Sequence, residues 1–451
     1  MKKNETVALE ITGMTSEGSG VGKHEGMAVL VPQTAVGDTV EALIIKIAKN
    51  YAVGKVSKVL GPSPDRCETD CPVFASCGGC EFRHISYEAE LKYKEQRVRD
   101  ALERIGGIDP SLVMPIIGAR NPLRYRNKAQ IPLGKSREGN TVMGFYANHS
   151  HRIVPMEDCL LQPEVFSKIQ SVFLHWSRSS GNPVYDEETG KGCLRHLYLR
   201  WGEDTGEIMV CAVAAYEPKK LSPLVESLRE IPGVVSVLLN INPKKTNVIL
   251  GEKTRTLYGR NEISDRLLGL TLSVKPLSFY QVNHRQTETL YLKALEYAAP
   301  NGNEILLDLY CGTGTIGLSF ARRVKELYGA EIIEDAVKDA AANAERNGIE
   351  NAQFLCMDAA KAAEYFLRKG IRPDIITVDP PRKGCSPELI ETAARMTPEK
   401  IVYVSCDPAT LARDLKLFAL AGYPLSELTP VDLFPRTANV ESVALLKHRQ
   451  R

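Results

Sequence analysis

No apolar run in this 451-residue chain approaches the roughly 20 residues that a membrane-crossing helix needs. The opening MKKNETVALEIT also lacks the apolar core of a signal peptide, so a cytoplasmic protein with no membrane partner is expected. Net charge is almost absent, at +2, and a total that small says nothing for or against a nucleic-acid partner. Aromatic side chains are scarce at the start, where Tyr51 is the lone one among the first 60 residues; base stacking there is disfavoured.

Cysteine, by contrast, is plentiful. Eleven are present, and in a reducing compartment they do not form a disulfide framework, so a cluster of them points to metal or redox chemistry. The length allows two or three domains with separate cores. The small net charge conceals a basic zone, since residues 83 to 137 hold twelve Lys or Arg against six Asp or Glu.

Period-two patches (Val7, Leu9, Ile11; Ala28, Leu30, Pro32; Val40, Ala42, Ile44) between glycine-rich turns predict a small β-barrel over residues 1–60. Such barrels often bind single-stranded nucleic acid, here through phosphate contacts from Lys46, Lys49, Lys55 and Lys58. A solvated lysine face fits equally well. Cysteines 67, 71, 77 and 80 follow, four thiols within fourteen residues, which indicate a metal centre. A closed four-cysteine zinc site and an iron–sulfur cluster drawing on a distant cysteine such as Cys159 both fit the spacing. A helix is predicted from a Ser86 cap to Ile105, stopped at Gly106-Gly107, with Leu91, Val98, Leu102 and Ile105 on one stripe. Arg120, Arg124, Arg126 and Lys128 around Tyr125 have the interleaving of an RNA reader, or of a solvated basic face. Residues 61–275 then read as a central α+β domain with strands at Leu197–Arg200, Ile208–Ala214, Val235–Asn240 and Val248–Leu250. His149 and His151 there suggest exposed loop residues, and Cys193 and Cys211 packing.

Residues 276–451 carry the chemistry. A buried strand, EILLDLY (304–310), runs into CGTGTIG (311–317), a glycine turn from strand to helix that lets backbone approach a nucleoside cofactor. The next three strands end in Glu331, Asp358 and Asp379, with Glu331 placed to accept the ribose hydroxyls. S-adenosylmethionine is the cofactor such a domain best fits. Cys406 follows the strand Ile401–Val404 and precedes a helix whose dipole favours the thiolate. Glu441 shares a strand face with Val443 and Leu445, so it points inward, either as a base or in a salt bridge with Arg436 or Lys447. Together a methyl donor, a thiol and a base fit methylation of uracil carbon 5, in which the thiol adds to carbon 6 and the base removes the carbon 5 proton. The target base must leave any stack to reach them.

Through CPVFASCGGC (71–80), SFYQVN (278–283), DLYCGTGTIG (308–317), DPPRKG (379–384), SCDP (405–408) and NVES (439–442), the chain resembles the RNA uracil-5 methyltransferase family, in particular its 23S ribosomal RNA branch, over nearly its whole length. The resemblance implies a multi-domain α/β protein: an N-terminal TRAM-type barrel, a central α+β domain with a [4Fe–4S] cluster on Cys71, Cys77, Cys80 and Cys159, and a C-terminal Rossmann-like class I methyltransferase. It implies Cys406 as nucleophile, Glu441 as base, and Gln281, Tyr310, Glu331 and Asp379 as cofactor contacts, beside Gly312 and Asp358 of the strand-end reading. Part of residues 86–125 is implied to pack on the cofactor domain. The tRNA branch typically lacks the barrel and cluster cysteines, which favours 23S rRNA as partner of a monomeric enzyme. Asp407 stands where the family usually has Asn, and Cys67 is an extra cysteine. Rival readings are a tRNA uracil-5 enzyme, an amino-group methyltransferase using DPPR, and a non-catalytic RNA-binding assembly factor.

Overall fold

The structure is a computed structural model, describing residues 1–148 and 150–449; His149 lies outside them. Strands β1 (Thr6–Met14), β2 (Gly20–His24), β3 (Met27–Val31), β4 (Thr39–Ile47) and β5 (Tyr51–Gly61) close into a barrel in the order β1-β2-β3-β5-β4. Val7, Leu9 and Ile11 on β1 and Val40, Ala42 and Ile44 on β4 fill its core, as their alternation predicts. On β3 the phase is reversed: Val29 and Val31 are buried, whereas Ala28 and Leu30 are only half-buried. Met27–Val31 is apolar throughout, so its own pattern carries no phase; the register Gly22↔Val29 to β2 sets it.

Helix α1 (Tyr87–Ala101) starts at Ser86, whose side chain accepts from Ala89 N at 3.2 Å. It ends in a π turn, Leu102–Gly106, closed by Gly107 at φ 62°. The wider turn rotates Ile105 off the apolar stripe, leaving it 45% exposed while Val98 and Leu102 are fully buried. Val98, Leu102 and Val113 join the same core as Tyr403, Leu411 and Leu415, so this segment packs on the C-terminal sheet.

The central sheet comprises β6 (Lys128–Lys135), β7 (Thr141–Tyr146), β8 (Ile153–Pro155), β9 (Leu194–Trp201), β10 (Ile208–Ala214), β11 (Val234–Ile241) and β12 (Lys253–Gly259), in the order β12-β11-β10-β9-β6-β7-β8. Helices α2 (Glu164–Ser179) and α3 (Leu221–Arg229) cover one face. Val248–Leu250, expected as a strand, is a loop, with Asn242 Nδ2 donating to the carbonyls of Val248 and Ile249. Cys193 and Cys211 are fully buried packing residues. The hairpin β13 (Ile263–Leu267) and β14 (Leu270–Val274) leads to the last domain, and its Leu270 and Leu272 share a core with both larger sheets.

That last sheet has the order β17-β16-β15-β18-β19-β21-β20. Around it the chain runs α4 (His284–Ala298), β15 (Ile305–Leu309), α5 (Thr315–Phe320), β16 (Glu326–Glu331), α6 (Glu334–Arg346), β17 (Ala352–Cys356), α7 (Ala359–Arg368), β18 (Ile375–Val378), α8 (Pro387–Arg395), β19 (Lys400–Ser405), α9 (Pro408–Leu420), β20 (Leu425–Val431) and β21 (Glu441–Lys447). The strands are parallel except β21, which slots between β19 and β20 and runs antiparallel to both. Reversal brings the start of β21 to the edge where the other strands end, the edge at which open α/β sheets bind ligands.

Candidate active site and a cysteine-lined cavity

Three of the expected chemical residues meet at that edge. Asp379 follows β18, Cys406 follows β19, and Glu441 begins β21, whose register Ser405↔Ser442 sets Glu441 beside the Cys406 turn. Glu441 is 4% exposed. Burial, reinforced by Asp379, pushes its carboxyl up to about 8. It is not salt-bridged to Arg436, which pairs with Glu90 instead. Burial, followed by the charges of Glu441 and Asp379, pushes the Cys406 thiol up to about 11, while Arg382 pulls it down. The expectation that the helix dipole favours the thiolate is therefore outweighed: α9 does start here, but two carboxyl groups and desolvation act against ionisation. Asp379 is itself raised to about 7 by burial and by Asp308. Asp407 caps α9, its Oδ1 accepting from Ala409 N at 3.0 Å and Thr410 N at 2.9 Å. An acid at this position therefore holds the turn.

The glycine turn after β15 has the form a nucleoside ligand needs. Gly312 and Gly314 have φ of 55° and 81°, and Tyr310 adopts φ 64°, a left-handed conformation that costs a side-chain-bearing residue on the order of 1 kcal/mol or more. Nothing stands within 4 Å of where a Cβ on Gly312 would project, so that backbone is open to a ligand. Glu331 reaches the turn, accepting from Gly312 N at 3.3 Å and from Ile333 N at 2.9 Å. Asp308 faces inward: it accepts from Thr377 Oγ1 at 2.7 Å and Gly317 N at 2.9 Å, stitching the turn to β18. Burial pushes Asp308 up to about 6. Asp358 caps α7 through Ala360 N and Lys361 N. Gln281 sits on a loop held by the central sheet, its carbonyl accepting from Asn127 Nδ2 at 2.9 Å. Sequence reasoning missed Ile332 and Ile333, 64% and 60% exposed directly beyond Glu331. Two isoleucines in a turn between a strand-end carboxylate and a helix were the available signal.

Cys71, Cys77, Cys80 and Cys159 line a cavity of about 300 Å³ together with Phe74, Arg83, Arg126, Lys128 and Val282. Burial raises the thiols of Cys77, Cys80 and Cys159, and each is raised further by another cysteine of the set. Cys67 is exposed and lies outside this lining. Among the described residues no group of three or more His, Cys, Asp or Glu is gathered as a metal-ion site requires. Most of the basic run here is engaged by contacts within the chain. Arg124 pairs at the surface with both oxygens of Asp158 at 2.7 Å, Tyr125 is buried with its hydroxyl donating to Pro435 O, and burial lowers Lys128 to about 8. Arg120 alone of the run is exposed. On the barrel, Lys46, Lys49, Lys55 and Lys58 are exposed as expected.

A doubly wound sheet with one reversed strand, a glycine turn answered by a strand-end glutamate, and a thiol beside a buried carboxyl define the methyltransferase class. Residues 259–449 match the family described as tRNA (uracil-5-)-methyltransferase, and residues 2–57 match the TRAM domain. RNA methyltransferases described as uncharacterized are 45% identical in Halalkalibacterium halodurans (99% of this chain, 98% of that protein) and 44% identical in Clostridium tetani (99% and 97%). The chain therefore belongs to the RNA uracil-5 methyltransferase family, whose methyl donor is S-adenosylmethionine. Among solved structures, the tRNA (uracil-54, C5)-methyltransferase of Pyrococcus abyssi, in complex with S-adenosyl-L-homocysteine, is similar with TM-score 0.80 and 27% identity, over 97% of this chain and 99% of that one. Coverage that complete takes in the barrel, so possession of a barrel does not separate ribosomal RNA enzymes from tRNA enzymes. No helix among the described residues is long and apolar enough to cross a membrane.

Proposed function

We propose that this protein methylates carbon 5 of a uridine in 23S ribosomal RNA through a transient covalent bond from Cys406. The observation that carries the reading is the shared strand edge of Cys406, Glu441 and Asp379. S-adenosylmethionine supplies an electrophilic methyl group. Its ribose would be held by Glu331, its adenine covered by Ile332 and Ile333 beside Asp358, and its remainder cradled by Gly312, Tyr310, Asp379 and Gln281. Cys406 Sγ, in its thiolate form, bonds to carbon 6 of the uracil, and the ring π pair moves into an enolate. Carbon 5 then takes the methyl group, and the S–CH₃ bond breaks. Glu441 removes the proton from carbon 5, and the electron pair of that C–H bond restores the ring double bond as the thiolate leaves carbon 6. Arg382, acting on both Cys406 and Glu441, favours their ionised forms.

The thiols of Cys71, Cys77, Cys80 and Cys159 fit a [4Fe–4S] cluster. A zinc ion would draw its sulfurs to about 3.8 Å of one another, from Zn–S bonds of ~2.3 Å in a tetrahedron. Cluster ligands bind separate irons and so stand wider apart, and the four thiols line a single cavity of about 300 Å³. A cluster there would brace the cytoplasmic enzyme's central sheet against the cofactor loop. The similarity to the P. abyssi enzyme supports tRNA as a second substrate reading.

The deciding experiment incubates the protein and S-adenosylmethionine with 23S rRNA fragments or tRNA transcripts containing 5-fluorouridine. Fluorine cannot leave as a proton does, so mass spectrometry should find an RNA adduct on Cys406. Adducts only with tRNA would replace the ribosomal reading, and no adduct with either, cofactor binding being intact, would remove the covalent mechanism.

A further inference from the structure

The turn that delivers Glu441 to the site is held from outside. Glu81 N and Phe82 N both donate to Arg436 O, at 3.0 and 3.2 Å, and the Glu81 carboxylate accepts from Ala438 N at 3.1 Å. Arg97 donates to Ala438 O at 2.7 Å from the other side. Ala438 is nearly buried, at 9% exposure, so without Glu81 its N–H would lack an acceptor in a place water scarcely reaches. Glu81 directly follows Cys80 of the cysteine-lined cavity. It also abuts the barrel: a Cβ on Gly18, in the turn between β1 and β2, would stand 2.9 Å from Glu81 Cβ. One half-buried carboxylate thus sits where the barrel, the cysteine loop and the base-bearing turn meet.

We propose that Glu81 is a positioning residue for Glu441: its bond to Ala438 fixes the three-residue approach to the base, and so ties proton removal from carbon 5 to closure of the cysteine loop. The proposal rests on the assignment of Glu441 as base. Glu81→Ala deletes the side-chain acceptor but leaves both backbone bonds to Arg436 O available, so it loosens Ala438 without releasing the loop. Glu81→Gln retains an acceptor oxygen.

The test is single turnover on unmodified uridine RNA with S-adenosylmethionine, quenched in denaturant, with the Cys406–RNA adduct followed by mass spectrometry and protein iron measured alongside. A displaced base slows the last step by about tenfold to a hundredfold, while addition and methyl transfer continue. Glu81→Ala should therefore accumulate the methylated adduct, with iron content and S-adenosylhomocysteine affinity within about twofold of the parent. Glu81→Gln should turn over within about threefold of it. Glu441→Gln serves as control: if it accumulates no adduct, the base assignment fails, independently of Glu81. If it does and Glu81→Ala turns over at the parent rate, or loses adduct and turnover together, or loses its iron, the positioning role is overturned.

Discussion

Replacing Glu441 by Gln should abolish turnover and, at neutral to alkaline pH, make the protein more stable. Glu441 is buried and its carboxyl is held up from 4.5 to about 8, so between those values the folded protein keeps a proton that the unfolded chain has released. A group raised on folding gives its full stability below the unfolded pKa and loses it as pH rises through the folded one. Stability should accordingly fall from pH 4.5 toward pH 8. At 1.36 kcal/mol per unit, the loss at pH 7 is on the order of 3 kcal/mol. Glutamine has a similar shape and cannot ionise, so this slope should vanish. Guanidinium denaturation of parent and variant at pH 4.5 and pH 8 checks it: the two should agree at the acid value and the variant should lead by a few kcal/mol at the alkaline one. Equal stability at both, or the same gap at both, would show that no buried ionisation exists at this site. The same proton governs rate. At saturating RNA and cofactor, kcat of the parent should climb with pH toward about 8 as Glu441 ionises.

Cys406→Ala should bring turnover to the detection limit and leave no adduct, while S-adenosylhomocysteine affinity by calorimetry stays within about twofold; residual methylation of uridine would sink the covalent scheme. Gly317→Ala should weaken cofactor binding about tenfold, because the new Cβ would stand 2.7 Å from Asp308 Oδ2 and 3.0 Å from Leu327, displacing the turn; unchanged affinity would mean that the turn does not shape the pocket. Lys94→Met should cost about 3–5 kcal/mol in denaturation, because Lys94 Nζ lies 2.7 Å from Glu90 Oε1 and 2.6 Å from Asp432 Oδ1, and without it two buried carboxylates face each other. A loss under about 1 kcal/mol would show that the pair is readily relieved.

The sheet that carries the site was legible because its strands are short apolar runs, each ending abruptly in a polar side chain: Leu309 before Tyr310 and the glycine turn, Val378 before Asp379, Val404 before Ser405 and Cys406. A buried strand and its functional end then mark each other. Legibility failed where a residue's fate depends on a distant partner. Arg124 reads as an unpaired cation in the sequence, yet Asp158, 34 positions on, pairs with it at 2.7 Å. The inner face of β3 was decided by its pairing with β2, and Ile105 was displaced by a π turn that helical spacing does not announce. Nor did spacing show that Cys406 and Glu441 are neighbours, which follows only from the insertion of β21 between β19 and β20.

The contacts that close the site also set the order in which the chain can assemble. Ala438 to Glu81 spans 357 residues, Lys94 to Asp432 spans 338, and Tyr125 to Pro435 spans 310. Contacts of such separation carry the largest loop-closure cost and form late, after hairpins and adjacent strands. The barrel and the parallel strands can therefore be in place while the turn leading to Glu441 still lacks its support from residues 81–125. In the proposed mechanism the carboxyl that must take the carbon 5 proton is thus held firm only when the two extremes of the chain have found each other.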